Sequence, residues 1–389
     1  MLTPPRSRLA DGTVDGEPFG SGLGPVRRLA SVACGFLGAM VVIGLAGCER
    51  RDGEPPAPTS ERQSPTTPPR TASAAEIAQA REAAEKALDD GRVDDAERLA
   101  AYLSERDPSG SGDEVLGRVW LVRAAQAVER GDGSAERTAR QRAADAYRRA
   151  ALADPTNAGL QDAAGRVLDA AGLLPEAIAH YTRALALDPK LASTLLHRGN
   201  AHLRGGDRER AEQDARSLEQ LAPREPWTHA LLAELALARE DHATAAARAR
   251  TARELAPNDI AFRVLHARAL RLGGDASAAV ELLVGLEASE RANRSVAGEL
   301  AAGWTALGRP VDARDVWANA YRLGAPPSRF DAAIRAGNAA IDAGDLIDAE
   351  RWLTASESMR RDADEDRARI VDLRTRLTQA RIERASPSP

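Results

Sequence analysis

Residues 175–189 read PEAIAHYTRALALDP, and the reading of this stretch decides the fold. It is a helix with small side chains at Ala177 and Ala184, a large one at Tyr181, and an Asp188-Pro189 stop. Proline cannot continue a helix, so it ends this one and starts the next turn. Moving outward, the same ending returns at fixed distance. Asp154-Pro155, Asp188-Pro189, Ala222-Pro223 and Ala256-Pro257 are 34 residues apart. Glycines keep the same step at Gly172, Gly206, Gly274 and Gly308, with Glu240 in the missing place. Gly172 follows a first helix, where a left-handed residue ends it at little steric cost. Two landmarks sharing one period define a repeating unit of two helices.

A 34-residue helix–turn–helix unit resembles the tetratricopeptide (TPR) repeat. The unit 158–191 supplies Gly165, Ala177, Tyr181, Ala184 and Pro189 at that family's small, aromatic and proline places. The unit 192–225 supplies Gly199, Ala211, Ala215, Leu218 and Pro223, and the unit 226–259 Ala233, Ala245, Ala249, Ala252 and Pro257. In 260–293 the proline place holds Arg291, and in 294–327 Trp317 takes the aromatic place. Weaker copies lie near 77–110, 117–157 and 330–363, the second with one to two extra helical turns around GDGSAERTARQ. The resemblance predicts an all-α fold: an α-solenoid of about eight stacked TPR units over 74–363. A capping helix and tail follow over 364–389. One unit cannot bury its own apolar face; a stack can, and its end needs a polar cap.

Ahead of the array, Arg27 and Arg28 precede an apolar run from Leu29 to Gly47, the pattern of a secretory signal. The run ends Leu45-Ala46-Gly47-Cys48, which resembles the lipobox of bacterial lipoproteins. That resemblance implies cleavage before Cys48 and lipidation of its thiol. The protein would then be held in the bacterial cell envelope facing the periplasm, and Glu49, in place of Asp, favours the outer membrane. Residues 1–47 are then leader and signal, with 1–26 longer than usual; translation from Val26 would explain that length. Residues 48–73, rich in Pro, Ser and Thr, read as a disordered linker. The alternative is an uncleaved signal anchor with the array facing the cytoplasm, since about 20 apolar residues span a bilayer.

Composition excludes more than it assigns. Aromatics are 3% and charged residues 29%, which suits helices packed through alanine better than β-sandwiches. A net charge of −5 with no basic half points away from nucleic acid. Lys86 and Lys190 are the only lysines and neither stands in a phosphate-binding loop. Gly20-Ser21-Gly22-Leu23-Gly24 lies in the leader. The six histidines lack HExxH spacing, and Cys34 and Cys48 are the only cysteines, so no zinc site is expected. Asp362, Asp364 and Asp366 alternate as in a calcium loop, but Arg367 occupies the glycine place. The expectation is a protein that is not an enzyme and has no metal or cofactor.

In related TPR proteins, first-helix positions line a concave groove that takes a protein or peptide partner. Here those positions include Arg166, Asp169, Leu196, Asn200, Leu203, Trp227, Glu234, Leu237, Val264, Arg268 and Arg271. Trp227 is the expected aromatic anchor, with charge-assisted bonds from the arginines around it. The chaperone-binding subgroup clamps a terminal carboxylate with Lys and Asn. Asn200 matches one such place, but Leu196 and Glu234 occupy others, so that subgroup is rejected.

Overall fold

The computed structural model describes residues 72–324, 326–359 and 364–385. Cys48, the signal segment and nearly all of the linker lie outside the described residues, as does Asp362. Among the described residues there are eighteen helices and no strand. Sixteen of them form eight antiparallel pairs: α1 (Ala74–Asp89) with α2 (Val93–Arg106), α3 (Ser111–Arg130) with α4 (Gly133–Ala153), and α5 (Ala158–Ala170) with α6 (Leu174–Leu187). The middle pairs are α7 (Ala192–Arg204) with α8 (Arg208–Leu221), α9 (Pro226–Ala238) with α10 (His242–Leu255), and α11 (Ile260–Leu272) with α12 (Ala276–Val284). A short α13 (Ala288–Arg291) precedes α14 (Arg294–Ala306), which pairs with α15 (Pro310–Leu323). Then α16 (Pro326–Asp342) pairs with α17 (Leu346–Ser358), and α18 (Asp364–Ala385) closes the stack. The fold is an all-α, TPR-like solenoid.

In four of the eight pairs the turn is written as a glycine–aspartate doublet. Gly131-Asp132, Gly206-Asp207, Gly274-Asp275 and Gly344-Asp345 each place a left-handed glycine before an aspartate N-cap. The Asp207 carboxylate accepts from the Arg210 N–H at 3.0 Å, and Asp275 from the Ala278 N–H at 2.9 Å. Such a cap satisfies helix-start donors that lack an intrahelical partner. Glu240-Asp241 builds the same turn with a glutamate at φ +61°, the only non-glycine residue at positive φ among the described residues. A side chain there costs about 1–2 kcal/mol relative to glycine, partly offset by the extra freedom glycine has when unfolded. Glu240→Gly is therefore expected to stabilise the protein by roughly 1 kcal/mol, read as a higher midpoint in urea. A lower midpoint would mean that the carboxylate contributes something the turn geometry does not explain.

Between helices the contacts follow the small-residue register. Ala177, Ala211, Ala245, Ala279 and Ala313, one per unit, are all buried. A Cβ built on Gly165 would lie 2.6 Å from the Tyr181 ring, so the close crossing of α5 and α6 requires glycine. Tyr181 and Trp317 fill the larger holes, each buried. Arginine–carboxylate pairs then join successive units: Arg148–Glu176 at 2.7 Å, Arg248–Glu219 at 2.7 Å and Arg314–Asp345 at 3.4 Å.

Two units depart from the regular length. The second pair begins at Ser111, not near 117, and its helices have 20 and 21 residues where the third pair has 13 and 14. Gly117 is its small residue, packed face-on to Tyr147, where a Cβ would come within 2.5 Å of the ring. The added residues are shared between both helices, so the register across the pair is kept. In the sixth unit, where Arg291 replaces proline, the second helix stops after 9 residues at Gly285 and α13 follows. The Arg291 guanidinium bonds the Leu286 carbonyl at 2.8 Å and holds that break.

Candidate groove of the solenoid

First helices of successive pairs touch one another from α5 through α7, α9 and α11 to α14, and so form one continuous inner layer. The second helices pack outside them against their own and the next first helix. This layer is the candidate groove, and a pocket of about 570 Å³ opens where α7, α9 and α11 run side by side. Leu203, Leu237 and Leu272 give it apolar walls; Glu234, Arg268, Arg208 and Glu209 give it charged ones.

The charges are arranged as a chain. Glu234 on α9 lies 3.4 Å from Arg268 on α11, and the Arg268 Nε lies 3.0 Å from Glu299 on α14. Arg271 donates to the same Glu299 carboxylate through Nε at 3.0 Å and Nη2 at 2.9 Å. Burial pushes the Glu234 carboxyl above its usual range; Arg268 opposes this and Glu299 adds to it. The consequence is chemical: Arg268 and Arg271 already face carboxylates, so an anionic partner group would compete with Glu299 for them.

The expected groove residues are not all brought together. Glu234, Arg268 and Arg271 share the chain just described. Arg166 lies two units away and pairs with Asp162 at 3.1 Å. Asn200 is half-buried on α7, away from the pocket lining. Trp227 stands at the start of α9 with its ring edge-on to Phe262, centroids 4.7 Å apart, and leaves 44% of its surface exposed. Asp169 is held by Arg204. Val264 does not line the groove: it is buried in the cluster with Val280, Leu283 and Leu300. The equivalent places Asp162 and Ala230, in units of regular length, are buried too, so this helix position packs between units and does not face the groove. Glu299, which organises the arginines, was not among the expected positions. It stands one residue beyond the usual groove register, and only its spacing of 31 residues from Arg268 hints at the pairing.

The histidines are separate. His180 shares a hydrogen bond with Gln161 at 2.8 Å, whose amide in turn donates to the Ala151 carbonyl. His266 is buried and near Arg253 and Arg250, and desolvation first, then those charges, bring its imidazole down to about 4. Asn293, part of a formal Asn-Arg-Ser sequon, caps α14 by accepting from the Ser295 N–H. Among the described residues no group of three or more His, Cys, Asp or Glu side chains is placed to hold a metal. Among them, too, no helix is long and apolar enough to cross a membrane.

A family model described as TPR repeat matches residues 165–206. Among solved structures, yeast Tom70 aligns with 76% of this chain and 62% of its own, at 17% identity and a TM-score of 0.51. A tetratricopeptide repeat protein from Parabacteroides merdae covers 67% of this chain and 98% of its own, at 18% identity and a TM-score of 0.46. Pseudomonas aeruginosa pilF covers 54% and 90%, at 18% and 0.42. At these identities the likeness concerns the fold alone. No curated protein matches the chain.

Proposed function

We propose that this TPR repeat protein is a non-catalytic protein–protein interaction scaffold, tethered by a lipid on Cys48 to a bacterial envelope membrane. A protein or peptide partner would lie in the concave groove. The observation that carries the binding role is the inner-layer pocket, with leucine walls beside a Glu234–Arg268–Glu299–Arg271 chain. An extended segment entering there would bury an apolar side chain against Leu203 and Leu237 and exchange hydrogen bonds with the charged chain. Support for the tether is the sequence alone: Arg27-Arg28, the apolar run and Leu45-Ala46-Gly47-Cys48, followed by a Pro-rich spacer. Assembly of an envelope complex, such as secretion, pilus, exopolysaccharide or cell-wall machinery, is the job such a tethered scaffold would serve.

Two measurements test the two halves separately. Intact mass of the membrane-extracted protein is expected to show a chain starting at a diacylated Cys48, and Cys48→Ser to retain an unprocessed signal. A wild-type mass that retains residues 29–47 would replace the lipid tether with the signal-anchored alternative. For the groove, a photo-crosslinking residue at Leu237 is expected to give a specific adduct that the same residue at the outward Arg183 does not. Equal capture from both positions would remove the groove from the binding role.

A further inference from the structure

One contact in the array is out of sequence order. Nearly all close helix approaches join neighbours in the stack, yet α3, in the second pair, and α16, in the eighth, bring Cα atoms within 8 Å of each other. Both are first helices, and they lie beyond the two ends of the inner layer that runs from α5 to α14. Both are also over-long. The first helices α5, α7, α9, α11 and α14 have 13 residues each, whereas α3 has 20 and α16 has 17. The extra length falls at particular ends. From the small residue Gly117 to the turn glycine Gly131 is twice the step from Gly165 to Gly172 or from Gly337 to Gly344, so α3 is extended at its C-terminus. The α16 helix keeps the standard step and is extended at its N-terminus. Seven added residues lengthen a helix by about 10 Å, close to one helix diameter. Consistent with cover on an additional side, no residue of α3 from Ser111 to Val128 is exposed.

We infer that the lengthened second pair is a clasp: α3 docks on α16 and locks one turn of the solenoid, fixing the curvature of the groove between them. In an open repeat array each unit contacts only its neighbours, and curvature follows from many small rotations that bend easily. A contact between pairs two and eight turns that soft spring into a closed ring, whose groove has one preferred width. The inference goes beyond the proposed function and does not depend on it, since it concerns the chain alone.

The test is a disulfide scan of the full chain with Cys34→Ser and Cys48→Ser. One cysteine is walked along residues 121–130 and a second along 328–338. A bond forms readily only where Cα atoms come within about 7 Å. A run of neighbouring pairs is expected to oxidise to an intramolecular bond, seen as faster migration on non-reducing gels, with helical content unchanged. Second cysteines placed along α9 are expected to give none. Small-angle scattering then compares the oxidised variant with the same variant after reduction. Superimposable curves and equal radii of gyration are expected if the clasp is the resting state. Failure of every α3–α16 pair to oxidise, or a reduced chain more extended than the locked one, would overturn the clasp.

Discussion

Replacing Tyr181 by alanine is expected to destabilise the protein by about 4 kcal/mol, among the larger effects a single core truncation produces. The ring is fully buried. The ring meets Gly165 so closely that no Cβ would fit there, and it stacks on His197 with centroids 5.8 Å apart. It therefore fills the hole between α5, α6 and the following α7. Because Gly165 has no side chain to collapse inward, the cavity left by alanine stays open, and the cost includes both lost transfer energy and the void. Tyr181→Phe separates the ring from its hydroxyl. That hydroxyl is buried without a hydrogen-bond partner among the described residues, and burial pushes its pKa well up. Phenylalanine keeps the ring and removes an unsatisfied polar atom, so it is expected to be neutral or stabilising by about 1 kcal/mol. Chemical denaturation monitored by circular dichroism reads both variants. A Phe variant as damaged as the Ala variant would show that the hydroxyl, not the ring, holds the crossing.

How much of this could be read from sequence follows from what repeats and what does not. The 34-residue step of proline and glycine is local chemistry, written in residue types that have few other uses. It located the pairs because a helix must stop somewhere and only certain residues stop it. In the doublets Gly206-Asp207 and Gly274-Asp275 the aspartates are caps, so they mark where α8 and α12 begin. The added turns of α3 and α4 were harder to place. Gly117 and Tyr147 keep their mutual contact while sliding apart in sequence, so a fixed-length template starts the unit too late. The groove was legible as a surface and much less so as a set of partners. Charge pairing across units depends on side chains about thirty residues apart, where Glu299 and Glu234 compete for one arginine, and no spacing rule decides that competition. Likewise the contact between α3 and α16 depends on the accumulated rotation of six units, to which every interface adds a little.

The second large effect lies in the middle of the array. Asp214 on α8 is 3% exposed, and its carboxylate is held by the Arg198 guanidinium through two bonds, 3.0 Å from Nε and 2.6 Å from Nη2. A further bond at 3.3 Å reaches from Arg198 to the Thr182 hydroxyl on α6, so one side chain ties together three helices of two units. Arg198→Met keeps the aliphatic stem but leaves a buried carboxylate unpaired, which is expected to cost about 3–5 kcal/mol. The double variant Arg198→Met with Asp214→Leu removes both charges and is expected to recover at least half of that loss. Paired buried ions contribute little net stability compared with apolar packing of similar volume, whereas a lone buried ion is costly. In a quasi-one-dimensional array the loss also has a place. Weakening the α6–α7–α8 junction lets the units before and after it unfold apart, so the single variant should show a broadened or two-step urea transition. If the double variant proves as unstable as the single one, the arginine acts through packing and not through its charge. If the single variant unfolds in one sharp step, the junction is not where the array's cooperativity resides.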